Sequence, residues 1–82
     1  MASDLAKRIR LIREAETSGR AEFSQLIGIS KKTIEGVEQT GRTPKGELLE
    51  AICLQWPEYS LWLMTGSADW DCAQKEPMQD TI

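Results

Sequence analysis

Few side chains in this 82-residue sequence are equipped for covalent chemistry. It has no histidine, the side chain most often used as a general base and in catalytic triads. Cys53 and Cys72 lie far apart and form no C-x-x-C pair, which argues against a zinc site or a disulfide scaffold and fits a reduced compartment. No glycine-rich phosphate loop and no paired metal ligands accompany them, so no enzyme activity, metal or cofactor is expected. What remains is the chemistry of charge and hydrogen bonding. Lys31 and Lys32 stand side by side at the head of a helical stretch, the end at which the helix dipole disfavours cations. A bound anion or an electron-rich edge would offset that local cost; a solvated lysine pair is the plainer meaning of the same two residues.

The formal net charge is −3, a balance that by itself speaks against a nucleic-acid binder. The charge is unevenly divided. Residues 1–45 carry nine of the ten Lys and Arg against six acids, a balance of +3, whereas residues 46–82 carry Lys75 against seven acids, a balance of −6. That split predicts one cationic face and one anionic end. The length suits a single small domain whose core just suffices. No secretory leader is legible before Asp4 and no apolar run approaches a membrane span, so a cytoplasmic protein without a membrane partner is expected.

The elements that must position the lysines are all helical. A first helix is predicted from a Ser3 cap to about Glu16, with Leu5, Ile9, Ile12 and Ala15 as its inward stripe. Lys7, Arg8, Arg10 and Arg13 are left on its basic outer side. Thr17-Ser18-Gly19 is a loop. From Arg20 to Glu38 the sequence reads as two short helices joined by a turn at Gly28-Ile29-Ser30. Phe23 and Ile27 share a face of the first, Ile34 and Val37 a face of the second, and Ile29 plugs the corner. Gly28 supplies the left-handed helix end and Ser30 the next N-cap. Two helices joined by so short a turn cross steeply, which is helix-turn-helix geometry. After a loop through Gly41-Arg42-Thr43-Pro44, a fourth helix is expected over about Lys45 to Gln55, with Leu48, Leu49 and Ile52 inward. Pro57 opens a short fifth helix that Gly66 ends. Residues 67–82 are acidic and aperiodic and read as a flexible, largely extended tail, with Trp70 its one docking residue.

These residues resemble the phage-repressor (Cro/Xre-type) DNA-binding domain over roughly Leu5 to Gly66. Gly28 falls on that family's turn glycine, and Phe23, Ile27, Ile29, Ile34 and Val37 on its buried positions. Glu38 closes the second motif helix; Gly41-Arg42-Thr43-Pro44 and Leu61-Trp62-Leu63-Met64-Thr65-Gly66 match further on. Ser24 departs from the usual alanine, with a hydroxyl expected to bond back to the preceding turn. Gly19-Arg20 departs from the usual Ser-Gln, giving a weaker cap and an extra charge. The resemblance implies an all-α, five-helix lambda-repressor-like domain over residues 1–66. It also implies a sequence-specific regulator of transcription, acting as a repressor, which binds a short operator in double-stranded DNA as a homodimer in a bacterial cytoplasm.

Carried over by position, Lys31, Lys32, Thr33, Glu35 and Gly36 face the major groove. Lysine can donate to guanine O6 and N7, and glutamate can accept from cytosine N4. Thr33 suits either a phosphate or a thymine methyl. Glu35 either reads a base, excludes an acidic neighbour, or pairs with Lys31 or Lys32 along the helix. Gly36 either lets the helix approach the DNA or relieves crowding. Arg20, Ser30, Gln39, Arg42, Thr43 and Lys45 are the expected phosphate contacts, setting register and salt dependence. Arg13 is expected to pair with Glu38. The aromatic cluster Trp56, Tyr59, Trp62 and Trp70 has two readings: core packing, which would cover Trp62, and a homodimer contact over Pro57 to Trp70 formed by Tyr59, Leu61, Trp62 and Trp70. The rival expectation is a helix-turn-helix antitoxin or adaptor that grips a protein partner through its acidic end.

Overall fold

Apolar side chains recurring at helical spacing meet in one core, to which each helix contributes. The computed structural model describes residues 4–41 and 43–77, without the side chains of Asp4 and Trp70. Five α-helices run in order: α1 (Asp4–Glu16), α2 (Arg20–Ile27), α3 (Lys31–Thr40), α4 (Gly46–Gln55) and α5 (Ser60–Thr65). A 3-10 turn at Pro57–Tyr59 leads straight into α5, and a second lies at Trp70–Cys72. Among the described residues there is no strand, only an isolated bridge between Asp69 and Gln74. No helix among them is long and apolar enough to cross a membrane. The chain is all-α, as its periodicity predicts.

Ile9, Ile12, Phe23, Ile34, Ile52 and Leu63 are wholly buried at the centre. Trp56 closes one side by stacking on Phe23, ring centroids 5.6 Å apart and planes 8° from parallel. The inward stripe of α1 differs from expectation. Ala6 is buried beside Ile9 and Ile12, while Ala15 and Leu5 are only half-buried. Ala6, Ile9 and Ile12 run three apart, and the arc they define swings away from Ala15. The fourth helix starts at Gly46, with Lys45 as its N-cap residue. Ser3, the expected cap of α1, lies outside the described residues.

The aromatic cluster near the end is core. Tyr59 and Trp62 are 2% and 7% exposed, so neither is available as the dimer contact expected of it. The Tyr59 hydroxyl donates to Glu16 Oε2 at the end of α1. Burial pushes the phenol above its ordinary range, and the Glu16 hydrogen bond, the Glu16 charge and the Glu58 charge push the same way. The unfolded chain ionises this phenol near its ordinary value of about 10, while the folded chain keeps it neutral. The stability this confers is complete below that pH and is lost as pH rises toward the folded value. Tyr59→Phe should therefore be less stable than wild type at pH 7, and the gap should close above about pH 10. Thermal unfolding of both proteins between neutral and alkaline pH tests this; a constant gap would refute it.

The expected extended tail is corrected over Asp69–Lys75, where the chain turns back. The Asp69 N–H donates to the Gln74 carbonyl at 2.7 Å, and the Gln74 N–H to that of Asp69 at 2.9 Å. The Lys75 N–H reaches the Glu58 carbonyl at 2.7 Å. Residues 78–82 lie outside the described part.

Candidate nucleic-acid interface

The turn between α2 and α3 is set by backbone chemistry. Gly28 sits at φ 71°, and its N–H donates to the Ser24 carbonyl, an end that an L side chain would strain. The Ser24 hydroxyl bonds forward to the Ile29 carbonyl rather than back into the preceding turn as expected. That bond holds the corner residue Ile29 in place, half-buried against the core. Ser30 caps α3: the Thr33 N–H donates to Ser30 Oγ at 3.3 Å, and the two hydroxyl oxygens lie 2.8 Å apart.

The far end of α3 is fixed by ion pairing. Glu38 accepts from Arg13 Nε at 2.9 Å and from Arg13 Nη2 at 2.8 Å, a two-point pair between α3 and α1. Arg20 Nη2 at the head of α2 adds a looser contact to the same carboxylate at 3.4 Å. The Glu38 side chain is 2% exposed and that of Arg13 12%. One buried carboxylate thus ties α1, α2 and α3 together and sets the direction of α3. Arg20, expected at a phosphate, leans instead on Glu38, and its Nε is buried without a partner.

The outer side of α3 is left open. Lys31, Lys32 and Thr33 are exposed, and the first turn of α3 holds no acid to compensate the lysines. Lys31 Nζ lies 3.9 Å from Glu35 Oε1, the local pairing that was one of the readings of Glu35. Among the described residues, none of the ion pairs involves Lys32. The Thr33 hydroxyl is engaged with Ser30, so its first role is in the cap. Gly36 is half-buried, and its carbonyl accepts from the Thr40 hydroxyl.

A groove of about 410 Å³ opens beside this helix. Ile29, Val37 and Leu48 supply its apolar lining, and Ser30, Thr33, Thr43 and Lys45 much of its polar lining. Four residues expected to touch DNA, drawn from the start of α3 and the loop before α4, are thereby brought to one place. Glu47 also lines the groove and went unnoticed in the sequence. The available signal was its position two residues after Lys45, in the first turn of α4. Gln39 is exposed at the other end of α3, and Arg42 lies outside the described residues.

Compared with known proteins, the chain matches no family model, no curated protein and no solved structure.

Proposed function

We propose that this chain is a lambda-repressor-like helix-turn-helix regulator that binds a short operator in double-stranded DNA and represses transcription. The observation that carries the proposal is the exposed pair Lys31 and Lys32 at the amino end of α3, beside the groove lined by Ser30, Thr33, Thr43 and Lys45. Lys32, free of the ion pairs formed among the described residues, is the leading donor to a guanine edge. Lys31 reaches the DNA by leaving Glu35, a weak exposed contact that costs little to break. Lys45 and Thr43 meet the sugar-phosphate backbone along the groove, which fixes register without reading sequence.

One α3 spans only a few base pairs, so two copies on paired half-sites are the simplest route to useful specificity. Tyr59 and Trp62 are unavailable for the contact between copies. Leu61 and Met64, three apart on α5 and 37% and 52% exposed, take their place in this reading.

Selection of bound sequences from a random duplex pool tests the proposal. Enrichment of an inverted repeat is the expected result, and it would report the dimer symmetry as well. No enrichment would overturn it in favour of a protein partner held at the acidic end, where Asp69, Asp71 and Glu76 are exposed. A stoichiometric co-purifying protein, lost on truncation after Gly66, would mark that outcome.

A further inference from the structure

Helix α5 is six residues long, too short to hold itself together in water. Its ends are tied by groups remote in sequence. At the carboxyl end, Arg8 Nε donates to the Leu63 carbonyl at 2.8 Å. At the amino end, the Leu61 N–H is among those a helix cannot satisfy internally, and it donates to Gln74 Oε1 at 2.9 Å. Gln74 Nε2 in turn donates to the Pro57 carbonyl at 3.2 Å. One amide side chain therefore spans the 3-10 turn and the first turn of α5. Lys75 follows it, with its N–H on the Glu58 carbonyl and its Nζ 5.6 Å from the centroid of the Tyr59 ring.

The segment that presents Gln74 is weakly anchored. Asp69, Asp71, Cys72 and Ala73 are exposed, and Gln74 and Lys75 are half-buried. None of these six residues belongs to the apolar core, so among the described side chains of the segment it is hydrogen bonds and one cation–ring contact that hold it in place. Two features oppose its closure. Ala73 sits at φ 57°, a left-handed conformation that crowds the Cβ of an alanine against its own backbone. Glu58, whose carbonyl receives the Lys75 N–H, carries an Oε1 that is buried without a hydrogen-bond partner, which is unfavourable for a carboxylate oxygen.

We propose that Asp69–Lys75 is a latch on α5, a strap that opens as a unit while α1 to α4 stay folded. Its release frees the Leu61 N–H and the Pro57 and Glu58 carbonyls, frays the first turn of α5, and takes Lys75 Nζ off the Tyr59 ring. Segments poor in apolar contacts open well below the free energy of global unfolding. This device is independent of whether the chain meets DNA.

Native-state hydrogen exchange on the full chain, wild type against Gln74→Ala, tests it. The amides of Leu61 and Lys75 should exchange about tenfold faster in the variant, the effect of losing one typical hydrogen bond. Those of Ile12, Ile34 and Ile52 should keep their wild-type rates. An unchanged Leu61 rate would overturn the latch, because Gln74 would then not hold that amide. An equal acceleration of Leu61, Ile12, Ile34 and Ile52 would also overturn it, because the strap would then belong to the global unit.

Discussion

Replacing Lys31 and Lys32 together by alanine should abolish selective operator binding and leave the fold at least as stable as before. The two effects have opposite signs, which gives the experiment its power. Each lysine sits where the helix dipole disfavours a cation, by about 0.3–1 kcal/mol apiece. The Lys31–Glu35 contact runs in the less favourable orientation and returns at most a few tenths of a kcal/mol. Alanine is also the better helix former. The thermal midpoint should therefore hold or rise slightly. Each good donor to a base edge, by contrast, is worth about 1–3 kcal/mol of discrimination, so losing both should weaken operator binding by roughly 30-fold at the least. Titration of the selected duplex and of a scrambled one, with circular dichroism melts in parallel, separates the two quantities. Operator affinity equal to wild type would remove both lysines from the site; a lost melt would show that they serve the fold.

The second large effect is on stability. Among the described residues, Arg13→Ala leaves Glu38, 2% exposed, with the 3.4 Å contact from Arg20 as its one ion pair. Breaking a buried pair by removing one partner costs about 3–5 kcal/mol, and the looser Arg20 contact offsets only part of it, against a total of roughly 5–15 kcal/mol for a whole domain. In a domain of this size the melting midpoint should fall by roughly 12–40 °C. The double exchange Arg13→Met with Glu38→Leu removes both charges together and should recover most of that loss, because isolated charge is what the interior penalises. Equal melts for wild type and Arg13→Ala would mean that water already serves the carboxylate, and that the pair orients nothing.

How far the sequence reveals this molecule depends on the reach of the forces involved. Gly28, Gly41 and Gly66 all adopt positive φ at helix ends, and Pro57 opens the 3-10 turn; such punctuation acts within a few residues and is legible directly. The buried faces of α2 and α3 follow from apolar spacing for the same reason. In α1 several small and branched residues fit more than one arc, and only the packing of Ile9 and Ile12 chooses Ala6 over Ala15. Tyr59 and Trp62 suit a surface contact or a core equally well by type. The stack of Trp56 on Phe23, which decides how that end closes, is a long-range event. The strap is least legible, since Gln74 works through a side-chain amide on Pro57 and Leu61 and leaves no periodic trace. At the site, the exposed lysines were readable from residue type, while the second contact of Arg20 with Glu38 and the hydroxyl pairing of Thr33 with Ser30 required coordinates.

The anchoring of α3 has a consequence for retargeting. Ile34, Val37 and Glu38 join it to the rest of the molecule, whereas Lys31 and Lys32 are exposed and point outward. Substitutions at such outward positions usually alter stability by no more than about 0.5 kcal/mol. The codons of Lys31 and Lys32 can be randomised as a library on an unchanged scaffold, and any new preference recovered would belong to the replaced side chains alone.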